Sequence, residues 1–138
     1  MTAEALFCRQ LLQEQQVSTL SPAAVAEAVA SVAEELPSSS ERNLYFWYYA
    51  TQALQRSQQE SPQAAAAWED WNHALTTTLL TTQEEDGGWD TETVWGGCGG
   101  RVYTTSLSAL CLEVYYRYQS AESPSQIADR KGWQGVHR

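Results

Sequence analysis

Basic side chains are scarce in this sequence. Eight Lys and Arg stand against 17 Asp and Glu, a formal net charge of −9, which repels a phosphate backbone and leaves no patch to release counterions. Nucleic acid is thereby excluded as a partner. Cysteine and histidine are sparse too. Cys8, Cys98 and Cys111 are odd in number, and with only His73 and His137 beside them they follow no zinc spacing. Neither a disulfide framework nor a structural metal site is indicated. Long apolar runs are missing: nothing approaches the ~20 uncharged residues that span a bilayer. The start, Met1 to Cys8, lacks the basic-then-apolar pattern of a secretory leader. The expectation is a soluble, cytoplasmic chain. What is present suffices for one domain, since 138 residues with 43% apolar content can bury an ordinary core.

The apolar residues recur at helical spacing. Leu6, Phe7, Cys8, Leu11 and Leu12 form a stripe between Thr2 and about Gln16. Ser21-Pro22 reads as a cap followed by proline at the first helical position, and Val25, Ala28, Val29, Val32 and Leu36 continue to a stop at Pro37. One of Ser38, Ser39 and Ser40 is expected to cap a third helix, Glu41 to about Ser57. That helix is apolar or aromatic all round from Leu44 to Ala50 and is therefore buried on most sides. Ser61-Pro62 repeats the cap signal, and Ala64, Trp68, Trp71, Leu75, Leu79 and Thr82 share one face of a fourth helix. Its threonines are weak helix formers, so packing must hold its last turns. Glu84 to Gly100 reads as a long structured loop with six glycines, two tryptophans, five acids and no base. A fifth helix follows from about Thr104 to Tyr118, its stripe Leu107, Leu110, Cys111, Val114, Tyr115 and Tyr118. Residues 119–138 form a polar tail expected to be loosely ordered, beyond a domain of residues 1–118. The fold class is all-α: antiparallel helical hairpins, about five helices.

Gln83-Glu-Glu-Asp-Gly87-Gly-Trp89 has the form Q-x3-G-x-W at a helix end. In physical terms Gln83 can bond exposed backbone groups, Gly87 permits a turn with positive φ, and Trp89 can stack back onto the helix. Downstream, Trp95-Gly-Gly-Cys98-Gly-Gly-Arg101-Val-Tyr103-Thr104 leads into the next helix, and upstream Tyr45 to Thr51 is an aromatic inner-helix run. Together these resemble the QW repeat of the terpenoid cyclase and protein prenyltransferase superfamily, in its squalene cyclase-like form. Leu79 occupies the motif's aliphatic position, while Thr78 and Ala74 stand where the fuller pattern has an aromatic and a base. The resemblance implies part of an α/α toroid of helical hairpins.

What that family's chemistry requires is not in the sequence. Cyclases of this kind protonate an alkene with a D-x-D-D acid, whereas Asp90-Thr91-Glu92-Thr93 lacks the paired third acid. The prenyltransferases hold zinc with Asp, Cys and His from separate hairpins, and Cys98 has no histidine near it; Tyr103-Thr104-Thr105 occupies the helix start that would carry one. Glu84, Glu85, Asp86, Asp90 and Glu92 do not follow a calcium-loop spacing. No catalytic residue, metal ligand or cofactor is assigned. The aromatic set Tyr45, Trp47, Tyr48, Tyr49, Trp68, Trp71, Tyr103 and Tyr115 has two readings, an apolar ligand pocket or ordinary core packing.

A closed toroid takes about a dozen helices, so about five make at most half a ring. The expected function is a non-catalytic helical scaffold or interaction module, a terminal segment completed by a second copy or a protein partner. The alternative is an isoprenoid-binding or cyclase-related segment whose acid lies elsewhere. Either way, Leu6, Phe7, Leu11 or Val25 on the first helices should stay accessible.

Overall fold

The computed structural model describes residues 2–17, 21–114 and 116. Among these, every regular element is a helix: α1 (Thr2–Glu14), α2 (Pro22–Ala33), α3 (Leu44–Ser57), α4 (Pro62–Thr81) and α5 (Gly96–Leu112). None is long and apolar enough to cross a membrane. Tyr115, Tyr118 and the tail at 119–138 lie outside the described residues.

The cap signals do their predicted work at α2 and α4. Ser21 Oγ accepts from the Ala24 amide at 3.2 Å and Ser61 Oγ from Ala64 at 3.1 Å, with Pro22 and Pro62 opening the helices. At α3 the cap is Asn43, whose Oδ1 accepts from Phe46 N at 3.2 Å. The serine tract does not reach the helix, because Ser38 and Ser40 bond to each other at 3.0 Å. The second helix stops at Ala33, earlier than the apolar spacing implies, and Leu36 is exposed. A residue before proline is pushed out of the helical region, which releases the last turn.

The helices form two layers. α1 packs on α3 and α3 on α5, while α2 packs on α4. The hairpin partners α1/α2 and α3/α4 then join one layer to the other. α1 and α3 run in the same direction: Phe7 meets Tyr49 with ring centroids 6.0 Å apart, Gln10 Nε2 donates to Ser57 Oγ at 2.8 Å, and Glu14 pairs with Arg56. α3 touches all four other helices, which accounts for its aromatic and apolar circumference.

The core is continuous through Leu6, Val29, Val32, Trp47, Leu54, Trp71, Leu75, Leu79 and Trp89. Each such side chain contributes about 1.5–3 kcal/mol by leaving water. Some polar groups inside it are bonded across elements, while the Ser108 hydroxyl has no partner among the described residues. Trp71 Nε1 donates to Thr51 Oγ1 at 3.0 Å, and the Phe46 ring meets Trp71 edge-on at 5.8 Å. Two threonines of α4 satisfy their hydroxyls within the helix, Thr76 donating to Asn72 O at 2.7 Å and Thr81 to Thr77 O at 2.8 Å, while Thr78 donates across to Pro37 O at 3.4 Å.

Two apolar stripes differ from their expected positions. On α1 the buried face is Ala3, Leu6 and Gln10, with Cys8 and Leu12 in solvent. Gln10 holds the inner position through a hydrogen bond to Ala53 O at 3.2 Å besides the one to Ser57. On α5 the fully buried positions are Thr104, Ser108 and Cys111, small residues that let the helix approach α3 closely. Of the side chains expected to remain accessible, Leu11 is exposed and Phe7 half-buried, but Leu6 and Val25 are buried, because α2 covers α1 and α4 covers α2.

Candidate functional site

The segment expected to be a loop throughout is a loop only to Trp95. Gly96 to Gly99 make a helical turn, and Gly100 (φ 70°, ψ −177°) breaks it before the main part of α5. Only glycine adopts that conformation readily, so the tract kinks α5 rather than preceding it.

The loop from Gln83 to Trp95 is tied down at three places. Gln83 Nε2 donates to Gly87 O at 2.9 Å, and Gly87 N to Glu84 O at 2.9 Å, closing a turn in which Gly87 has φ 85°. Trp89 is buried; its Nε1 donates to Leu79 O at 2.9 Å, filling one of the carbonyls left open at the end of α4. Its own backbone joins α5, with Trp89 N donating to Thr105 Oγ1 at 3.2 Å and Trp89 O accepting from Thr104 Oγ1 at 3.1 Å. Finally Arg42, buried just ahead of α3, donates to Asp90 Oδ1 at 2.6 Å and to Glu92 O at 2.8 Å, and its carbonyl accepts from Val94 N at 3.2 Å.

Ion pairs engage Glu84, Asp86 and Asp90, three of the loop's five acids. Burial alone would raise the Asp90 carboxyl, but the Arg42 guanidinium and the Glu92 amide hold it below its ordinary value. It is an ionised anchor, the opposite of the protonated carboxyl that acid catalysis requires. Arg101 pairs with Glu84 and with Asp86, the latter at 2.5 Å, and this contact lowers the Asp86 carboxyl. Among the described residues no three His, Cys, Asp or Glu side chains are grouped to hold a metal ion. Cys111 is buried and burial pushes its thiol well above the ordinary value; Cys8 and Cys98 are exposed.

The aromatic set divides. Trp47, Trp68 and Trp71 are core. Tyr45, Tyr48 and Tyr49 form a ring cluster, with Tyr49 edge-on to Tyr45 at 5.0 Å and to Tyr48 at 5.1 Å. A hydrogen bond with Tyr45, then burial, raises the Tyr49 phenol. Tyr115 lies outside the described residues. Tyr45 and Tyr103 come together in a cleft of about 410 Å³ that also has Trp95, Cys98 and Gly99 in its walls. The geometry follows from the anchors: Val94 bonded to Arg42 sets Trp95 beside the first turn of α3, and Tyr103 follows on α5. Gly99 is needed there, since a Cβ would lie 2.5 Å from Tyr103 Cγ. Burial raises the Tyr103 phenol, so it enters the cleft as a neutral ring at pH 7. Sequence reasoning missed Trp95 and Arg42. Trp95 stood in an apparent loop, and a lone arginine before an aromatic run carries no pattern that names its partner.

Compared with known proteins, the chain matches no family model, no curated protein and no solved structure.

Proposed function

We propose that this chain is a non-catalytic helical scaffold, a run of α/α hairpins of the squalene cyclase-like kind that associates through the open end of its two layers. The observation that carries the reading is the exposure of large apolar side chains on the last helix of each layer and just beyond it. Leu80 on α4 is 62% exposed, Val102 on α5 is 80% exposed and Tyr116 is 74% exposed. Among the described residues each of these helices has an in-layer neighbour on one side only, α2 for α4 and α3 for α5. Repeat arrays bury such faces by stacking another unit, and apolar surface of this kind on a soluble chain marks a contact site. The order α1-α3-α5 over α2-α4 is the arrangement a segment of an α/α toroid would have.

Sedimentation of the full chain from about 1 to 100 μM tests this. Self-association that is abolished by Val102→Glu supports the reading. A wild-type chain that stays monomeric over that range, with no partner retained on an immobilised copy, overturns it.

A second reading, an apolar-ligand segment of the isoprenoid-binding kind, draws its support from the Tyr45–Trp95–Tyr103 cleft, whose walls carry no charged side chain.

A further inference from the structure

The first layer holds α1, α3 and α5 and the second only α2 and α4, so the place beside α4 and across from α5 is unfilled among the described residues. Thr78 marks the side of α4 that meets α2, because its hydroxyl donates to Pro37 O at 3.4 Å. At about 3.6 residues per turn, Glu69 lies half a turn round α4 from Thr78, with Ala65 and Ala66 on the same flank one turn earlier. This flank is uncovered. Ala66 and Glu69 are exposed, Ala65 is half-buried, and no ion pair engages Glu69 among the described residues.

The bond from Thr78 to Pro37 also fixes the level of the second-layer helices. Thr78 stands 17 residues after Ser61 and Pro37 stands 16 after Ser21, so the two Ser-Pro starts lie nearly side by side. The sequence contains one more such pair, Ser123-Pro124, which follows α5 as the others follow α1 and α3. Pro124 to Lys131 has no internal glycine or proline, and Gly132 is a stop signal just past a basic last turn. Ile127, Arg130 and Lys131 share one face of a helix begun there. Ile127 is four residues after its serine, as Ala65 is after Ser61; Lys131 is eight after its serine, as Glu69 is after Ser61. Started at the same level, such a helix sets an apolar residue over the two alanines and its bases beside the acid. The charge balance agrees, since 15 of the 17 acids precede residue 119, whereas residues 119–138 hold three bases and two acids.

We propose that Ser123 to Gly132, which lies outside the described residues, docks on this flank of α4 as a sixth helix, with Ile127 over Ala65 and Ala66 and the Arg130-Lys131 pair against Glu69. The inference goes beyond association at the open end. The segment takes only the second-layer place, and the exposed Val102, half a turn round α5 from the buried Cys111, keeps its face for a further unit.

Amide hydrogen exchange of the full chain, followed by mass spectrometry, tests it. A helix of eight residues is not stable by itself in water, so protection of Ala128 to Gly132 reports docking. The expected protection is at least about tenfold over an unstructured peptide, and the same from about 1 to 100 μM. Ile127→Glu should abolish it while the amides of α1 to α4 keep theirs, which certifies the fold. Glu69→Lys should lower it about two- to fivefold, and Lys131→Glu added to Glu69→Lys should recover part of the loss. Val102→Glu should leave it unchanged even where association is abolished, which separates this inference from the scaffold reading. Exchange at the rate of an unstructured peptide, or protection indifferent to Ile127→Glu or to Glu69→Lys, would overturn the proposal. So would protection that appears only as concentration rises, which would seat the segment on a second copy.

Discussion

Replacing Trp89 by phenylalanine isolates what the indole does at the junction of α4 and α5. Phenylalanine keeps a ring in the buried position but deletes the donor that reaches Leu79 O at 2.9 Å. The missing hydrogen bond contributes about 1 kcal/mol. The void left by the outer part of the indole, and the dispersion forfeited with it, add about 1–2 kcal/mol. The sum is about 2–3 kcal/mol. It is not larger because Thr82 Oγ1 stands 3.4 Å from the same carbonyl and keeps it from being stranded. At roughly 3–5 °C per kcal/mol for a domain of this size, Tm should fall by about 6–15 °C. Urea unfolding should show a lower midpoint with an unchanged slope. The control is Trp95→Phe, the same exchange at an exposed position, with a cost within about 0.5 kcal/mol. Equal losses for the two variants would refute the argument that Trp89 clamps the loop to the helix end.

Other perturbations address the remaining anchors. Arg42→Met removes the partner of Asp90 and the donor to Glu92 O, and since Asp90 can rehydrate the cost should be about 1.5–3 kcal/mol by chemical denaturation. The folded-state carboxyl of Asp90 lies below its ordinary value. Its stabilisation is therefore complete above about pH 4 and lost as pH falls through the lowered value. The stability gap between wild type and Asp90→Asn should be widest at neutral pH and narrow as pH falls below about 4; a gap that does not change with pH would dismiss the ion pair. Gly100→Ala forces a side chain into a glycine conformation at φ 70°, ψ −177° and should cost about 1–3 kcal/mol in thermal unfolding. Ser108→Ala removes a buried hydroxyl that has no hydrogen-bond partner among the described residues. It should raise stability by about 0.5–1 kcal/mol, read as a higher Tm.

Helices were legible wherever a local signal sufficed. Ser-Pro pairs announced α2 and α4, and the circumference of Leu44 to Ala50 announced a helix surrounded by others. Positions decided by tertiary contact were not legible. Gln10 sits inside because Ala53 and Ser57, more than forty residues away, receive its amide. Thr104 and Ser108 are core because α5 approaches α3 too closely for larger side chains, and no periodicity of apolar residues marks them. The candidate cleft was half visible. Tyr45 and Tyr103 stood out as aromatics, but Trp95 and Cys98 join them only through the Val94–Arg42 bond and the kink at Gly100.

The order of the layers bears on how the chain reaches this state. Every substantial helix pairing among the described residues joins an element to the next or the next but one. Search distances along the chain are therefore short, and loop-closure entropy stays small at each step. Such a topology folds quickly and by accretion, with α3 as the one element whose absence would leave the other four without a common neighbour. Loss of α5 would free one face of α3 yet leave α1 to α4 paired. Growth of the array by further hairpins would prolong it without rewiring any existing contact, so length and foldability are uncoupled in this architecture.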